Sequence, residues 1–120
     1  MIYTGYFAKT KLYEDNGLIP ISIARHTPKW FNGKSEPILA PSEGLLLAYN
    51  KDIIGEYEYE NVYRDELSAK KDSVKEVLDK YSTKNVILLC YEKSSDFCHR
   101  HILAEYAKNN FNIDIKESAL

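Results

Sequence analysis

Short runs of hydrophobic residues alternate along the chain with longer amphipathic segments. Four of these runs predict strands, at residues 2–6, 19–25, 85–91 and 112–116. The third run is built around Val86–Leu89, which is continuously apolar and therefore typical of a strand buried on both faces. The fourth run alternates apolar and polar residues, which favours a position nearer the edge of a sheet.

Apolar residues spaced three and four positions apart predict helices between these strands. Asn16-Gly17 provides a stop for the first helix, and Ser42 an N-cap for a short second one. The predicted helices cover residues 8–15, a short segment after Ser42, residues 56–69, a segment capped by Asp72 or Ser73, and about 96–109.

Strands that alternate with helices predict one α/β domain over residues 1–120. We expect a single three-layer, Rossmann-like domain whose small, mainly parallel sheet has about four strands joined by right-handed crossovers. Ligands of such sheets bind outside the carboxyl ends of the strands. That rule would bring together Gly5-Tyr6, Arg25-His26 and residues 90–100, which are far apart in sequence.

Unusual chemistry is concentrated directly after the third strand. Polarity changes abruptly at Cys90, Tyr91 and Glu92, and residues 94–96 (SSD) are all good N-cap types. The backbone N–H groups in the first turn of a helix lack partners, and the helix dipole adds positive charge there. We therefore expect an anion to bind at this helix start, together with Arg100.

A second candidate region is the loop after the second strand, which contains Arg25, His26, Lys29, Trp30 and Phe31. Its cations suit an anion, and its aromatic rings suit stacking on a base or sugar. The same pattern also fits a surface loop pinned by its two aromatic side chains. We favour the ligand wall, because binding residues concentrate on loops of this kind.

Composition narrows the classes of protein that need to be considered. The formal net charge of -2 argues against a general nucleic-acid binder, which is usually basic. No apolar run approaches the roughly 18 to 20 residues of a membrane span, and the stretch after Met1 is too short for a signal peptide. Two Cys do not make a disulfide framework, so we expect a cytoplasmic protein with reduced thiols.

Cys98 is a candidate nucleophile, because a helix start and a nearby Arg both favour the thiolate. His99 or His101 would then act as base and Glu92 as orienter or acid. The alternative is that Cys98 packs as a small buried residue while His99 and Arg100 bind the ligand. We favour this alternative, because no known nucleophile signature surrounds Cys98.

The residues Cys90, Cys98, His99 and His101 also raise the question of zinc. Their spacing, C-x7-C-H-x-H, fits no common structural zinc site, and adjacent Cys and His ligands are sterically awkward. The chain has neither a Walker A motif nor G-x-G-x-x-G. We therefore expect no metal and no cofactor.

The run LLCYEKSSDFCHRHILAEY resembles the family known as domain of unknown function 488. The signature of that family is a strand ending in Cys and an acidic residue, followed by Cys-His-Arg at a helix start. Here Cys90, Glu92 and residues 98–100 match it, and IYTGYF and ISIARHTPKWF are similar to the family's first two strand segments. Many members carry an acidic residue before the Arg of the second segment, where this chain has Ala24. The resemblance implies a small α/β domain with a polar pocket and no established reaction.

These observations predict a protein that binds a small phosphorylated, nucleotide-like ligand. By analogy with viral proteins of this general class, it would sequester a nucleotide signal. The alternative is an enzyme that cleaves or transfers a group on such a substrate through Cys98, His99 and Glu92. Association into a homo-oligomer stays open. The predicted ligand contacts are Gly5, Tyr6, Arg25, His26, Lys29, Trp30, Tyr91, Glu92, Cys98, His99 and Arg100.

Overall fold

The structure, a computed structural model, describes residues 1–93 and 96–120. Its strands are β1 (Ile2–Tyr6), β2 (Ile19–Ser22), β3 (Lys34–Ser35), β4 (Val86–Cys90) and β5 (Ile115–Glu117). Its α-helices are α1 (Thr10–Asp15), α2 (Glu43–Asn50), α3 (Glu56–Ala69), α4 (Lys71–Tyr81) and α5 (His99–Phe111). Short 3-10 turns at Phe7–Lys9 and Pro37–Leu39 precede α1 and α2. Within the described ranges, no helix combines the length and apolar character needed to cross a membrane.

The five strands form one sheet in the order β3-β2-β4-β1-β5, and each of these pairings is parallel. The predicted α/β class is therefore confirmed, with one more strand than expected. Sequence analysis missed β3 because its two residues, Lys34 and Ser35, carry no hydrophobic pattern. The second strand ends at Ser22 rather than at residue 25, although the N–H of Ile23 still donates to Leu89 O at 3.0 Å.

The central strand β4 separates two hydrophobic layers, because successive side chains of a strand point to opposite faces. Val86 and Leu88 pack in the core formed with α2, α3, α4 and α5. Ile87 and Leu89 pack on the other face against Phe7 and Tyr13. Both faces of the sheet are thus covered, which gives the expected three layers.

Two predicted helix starts are wrong. The N-cap of α4 is Lys70, whose carbonyl accepts from Val74 N at 3.0 Å, so neither Asp72 nor Ser73 caps this helix. The N-cap of α5 is Cys98, which makes no side-chain capping hydrogen bond. Of the predicted caps for α5, Asp96 precedes the helix by three residues, and residues 94–95 lie outside the described part of the chain. By contrast, Gly17 follows α1 with φ of +82°, as the predicted stop requires.

Gly5 lies in β1 at a position where neighbouring side chains leave no room for a Cβ atom. A Cβ at this position would lie 2.5 Å from the hydroxyl of Tyr13 and 2.8 Å from Cδ1 of Ile87. The absence of a side chain at Gly5 is therefore explained by packing of Tyr13 rather than by approach of a ligand.

We expect Gly5→Ala to lower the free energy of unfolding by about 1–3 kcal/mol, because overpacking forces neighbours to move. Gly44→Ala is the matched control, since a Cβ on this residue of α2 meets nothing within 4 Å. Ala favours helix over Gly by up to about 1 kcal/mol, so the control should be neutral or stabilising. Urea unfolding of both variants measures the difference, and equal stability would contradict the packing argument.

Candidate functional site

A cavity of about 320 Å³ lies where β2 and β4 end and α5 begins. Because parallel neighbours send their carboxyl ends to the same edge of the sheet, the loops after β2 and β4 meet there. Residues of α2 and α3 complete the wall. The lining consists of Ala24, Arg25, His26, Pro41, Leu46, Tyr49, Asn50, Tyr59, Cys90, Tyr91, Glu92, Phe97, Cys98 and His99.

Arg25 contributes a positive charge to this cavity, and backbone carbonyl groups hold its guanidinium in place. Its Nε donates to Pro41 O at 2.9 Å and its Nη2 to Pro37 O at 3.2 Å, which uses two of five N–H donors. His26 lies at the exposed rim, with Nε2 2.8 Å from a carboxylate oxygen of Glu43. The predicted pair Arg25-His26 therefore does reach the carboxyl edge of the sheet.

Three aromatic rings form one wall of the cavity. The ring centroids of Tyr49 and Tyr59 are 5.0 Å apart, and that of Phe97 lies 5.5 Å and 5.4 Å from them. Burial, with a smaller effect of the Glu92 charge, raises the pKa of Tyr59, so its hydroxyl stays protonated. Sequence analysis missed this wall, because Tyr59 falls on the apolar stripe of a helix and such a residue usually belongs to the core.

His99 lies buried beside the cavity in one defined tautomer. Its Nε2 is 2.8 Å from the carbonyl of Ile23, so this nitrogen must carry the proton and donate it. Nδ1 is then an acceptor and lies 3.8 Å from Sγ of Cys98. Burial is the main cause that lowers the pKa of His99 to about 4, with the Arg100 charge contributing, and the imidazole is therefore neutral near pH 7.

Cys98 is joined to Cys90 as a disulfide, contrary to the expectation of two separate thiols. Cys98 has extended backbone, with φ of -156° and ψ of 147°, and it directly precedes α5. The chain that leaves β4 at Cys90 therefore returns to the end of the same strand eight residues later. The expectation was wrong because it was based on the reducing environment of the cytoplasm. It did not consider that the chain returns to the end of β4 and brings the two sulfurs together.

Arg100 does not line the cavity, and its predicted place beside Arg25 and His99 is wrong. Its side chain is 0% exposed and forms a two-pronged ion pair with Glu117, through Nε at 3.1 Å and Nη2 at 3.0 Å. Its Nη1 donates to Sγ of Cys90 at 3.0 Å. Successive helical residues point in different directions, so Arg100 is aimed at β5 while His99 borders the cavity.

Gly5, Tyr6, Lys29 and Trp30 also lie away from the cavity lining. The ring of Tyr6 lies beneath the ammonium of a lysine, at 5.5 Å, and Lys29 is exposed. Trp30 is 57% exposed and packs edge-on against Phe7, with centroids 6.2 Å apart. Of the two interpretations of the loop after β2, the structure therefore agrees with a surface loop pinned by its aromatic side chains.

Tyr91 lines the cavity and also contacts the aromatic rings on the other side of the loop after β2. Its ring centroid lies 5.0 Å from that of Phe7, and its hydroxyl donates to His26 O at 2.6 Å. Tyr91 therefore fixes the loop after β2 against the loop after β4, and Glu92 next to it is exposed at the cavity.

Arg100→Ala should lower the free energy of unfolding by about 3–5 kcal/mol, because it breaks the ion pair of a fully buried guanidinium with a partly buried carboxylate. Arg64→Ala is the control, since its ion pairs with Glu60 and Glu105 lie at the surface, with 32% of the Arg64 side chain exposed, and each is worth at most about 1 kcal/mol. Chemical denaturation provides the measurement. Equal losses in the two variants would show that the buried pair does not hold the fold together.

The neutral, buried His99 should make stability depend on pH. Its pKa is about 4 in the folded protein against an ordinary 6.5, so between these values the unfolded chain binds a proton that the native protein does not. The free energy of unfolding is therefore unaffected by His99 above about pH 6.5. It falls as the pH is lowered from 6.5 towards 4, by about 3 kcal/mol in all. In His99→Gln, which retains an N–H donor for Ile23 O, this loss should disappear. Urea unfolding at several pH values tests this, with His26→Gln as the exposed control that keeps the wild-type dependence.

Comparison with known proteins gives one family. The model described as the active DUF488-N3 subclade matches residues 9–110, which include both strands that border the cavity and almost all of α5. Comparison with curated proteins and with solved structures found no match. The family match covers most of the chain and agrees with the Cys-x-Glu and Cys-His-Arg signature found in the sequence. The chain therefore belongs to the DUF488 family.

Proposed function

We propose that the cavity binds a small phosphorylated, nucleotide-like ligand. The observation that carries this proposal is that one cavity combines a wall of three aromatic rings with a cation and the start of a 13-residue helix. Its volume of about 320 Å³ lies at the lower end of the range of small-molecule sites, about 300–1,000 Å³. A mononucleotide suits that size better than a dinucleotide.

The phosphate is expected between Arg25 and the first turn of α5. Arg25 supplies a full positive charge, and the helix start supplies partial positive charge from its backbone N–H groups. Arg25 thus takes the role that the sequence suggested for Arg100, whose guanidinium is occupied by Glu117. A planar guanidinium also matches the paired oxygens of a phosphate.

The ring of the ligand is expected against Tyr49, Tyr59 and Phe97. Aromatic faces accept any base, so this wall explains affinity for a class of ligand rather than for one base. Glu92, at the same cavity, is placed to accept hydrogen bonds from ribose hydroxyl groups. A binder of this kind could sequester a nucleotide in the cytoplasm without changing it, as the sequence analysis suggested.

A second candidate function is an enzyme acting on the same ligand. It is favoured by the contact of 3.8 Å between Cys98 Sγ and the acceptor Nδ1 of His99. In the reduced protein, Nδ1 of His99 would accept a hydrogen bond from the Cys98 thiol and receive its proton only as the sulfur attacks the ligand. Glu92 is then the candidate acid. Cleavage or group transfer on the ligand would follow from that arrangement.

Calorimetric titration with a panel of mononucleotides and cyclic nucleotides tests the binding proposal. Arg25→Ala removes a charge-assisted hydrogen bond worth about 1.5–3 kcal/mol, so affinity should fall roughly tenfold to a hundredfold. Arg25→Lys should restore only part of it. Lys29→Ala is the control, because it removes one exposed charge of the same loop outside the cavity, and it should bind like the wild type. Absence of binding across the panel, or equal affinity in Arg25→Ala, would refute the proposal.

The same samples distinguish a binder from an enzyme. Each nucleotide that binds is incubated with reduced protein, released by heat and separated by chromatography. Recovery of unchanged nucleotide supports sequestration. A product that forms with the wild type and not with Cys98→Ser would establish the enzyme instead.

A further inference from the structure

Three potential metal ligands converge where β4 ends and α5 begins. The Sγ atoms of Cys90 and Cys98 and a ring nitrogen of His99 all lie within 4.8 Å of one another, and all three residues are buried. Each of the three also borders the cavity. Two thiolates and an imidazole form a donor set that selects thiophilic cations, zinc above all.

The spacing of Cys98 and His99 suits a tetrahedral ion, and the two sulfurs, which are bonded in the structure, would separate on reduction to share it. With Zn–S near 2.3 Å and Zn–N near 2.1 Å, neighbouring sulfur and nitrogen ligands lie about 3.6 Å apart. The observed distance from Cys98 Sγ to His99 Nδ1 is 3.8 Å. The Cα atoms of Cys90 and Cys98 are 7.6 Å apart, so after reduction the two thiol side chains can rotate apart and admit an ion without the backbone segments separating further.

His99 is oriented as metal-binding histidines are. Such residues almost always donate their second ring N–H to a carbonyl or carboxylate, which fixes the tautomer and the direction of the ligating nitrogen. Here Nε2 lies 2.8 Å from Ile23 O, and Nδ1 faces the sulfur of Cys98. This is an observation independent of the clustering, because the carbonyl belongs to the segment that follows β2.

Arg100 supports negative charge on one of the sulfurs. Its Nη1 donates to Cys90 Sγ at 3.0 Å, and a cation beside a Cys favours the thiolate that a metal requires. Two more of the five N–H donors of this guanidinium are held by Glu117, so its position does not depend on the metal.

We propose that reduced Cys90 and Cys98, together with His99, bind one zinc ion at the edge of the cavity. Three protein ligands leave a fourth position, and because all three residues border the cavity, that position opens into it. Three protein ligands with an open position are characteristic of catalytic rather than structural zinc sites. The adjacent Cys and His of the sequence can act together because Cys98 is extended and His99 begins a helix.

The disulfide and the metal are alternatives. A phosphine reductant and water convert the disulfide into two thiols and a phosphine oxide. Zinc binding then replaces the two thiol protons, which are released to solvent. Oxidised protein should therefore bind no zinc at this site, and zinc-loaded protein should resist formation of the disulfide.

Zinc titration against a chromogenic chelator tests the proposal, with protein that has been reduced by phosphine and freed of metal. We expect one zinc ion per chain. Loss of a partner that only orients a ligand weakens binding about 10–100-fold, so Cys98→Ser and His99→Gln, which remove ligands directly, should each weaken it at least a hundredfold. Glu105→Gln, which removes an exposed carboxylate that does not line the cavity, should bind zinc like the wild type.

Cobalt provides a measurement on the wild type that does not depend on the folding of any variant. Thiolate-to-cobalt charge-transfer bands and a tetrahedral visible spectrum are expected. An octahedral spectrum without thiolate bands, no zinc binding by the reduced protein, or equal zinc binding by oxidised protein would each overturn the proposal. None of these readouts involves a nucleotide, so the zinc site and the proposed ligand fail or succeed separately.

Discussion

The buried charge of Arg100 is the constraint on which the position of the site depends. A fully buried guanidinium is tolerable only with partners, and Glu117 on β5 supplies two of them while Cys90 at the end of β4 supplies the third. Glu117 also accepts from Thr4 of β1 at 2.6 Å. The first turn of α5 is thereby attached to three adjacent strands, and this attachment holds His99 beside the cavity.

Much of the fold could be predicted, because its main elements carry long or strong hydrophobic patterns. β4 and α3 fall where the pattern places them, since a continuous apolar run and a helical stripe each have few alternatives. Helix starts were predicted less well. Polar residues at 72–73 and 94–96 all suit an N-cap, yet α4 and α5 begin after Lys70 and Cys98, neither of which makes a side-chain capping hydrogen bond. The last strand begins at residue 115 rather than 112, because Asn112 adopts the left-handed conformation that ends α5.

The sequence predicts the position of some residues of the candidate site and not of others. The carboxyl-end rule predicts that Arg25 and His99 lie near each other, and both line the same cavity, since the rule depends only on the order of strands and helices. It misplaced Arg100, because no local pattern announces a carboxylate 17 residues further on. The sulfur pair was missed in the same way, since the sequence shows the spacing of the cysteines but not the extended backbone at Cys98 that turns the chain back.

The two outer strands have a consequence for how copies of this protein can meet. Exposed strand edges are templates for pairing with another chain, and proteins protect them by keeping such strands short and charged. β3 has two residues and β5 has three, and each carries an exposed lysine, Lys34 and Lys116. Joining two sheets edge to edge would place these ammonium groups near a second copy of themselves. Self-association through a continuous intermolecular sheet is therefore disfavoured, and so is the growth of fibrils from the native state.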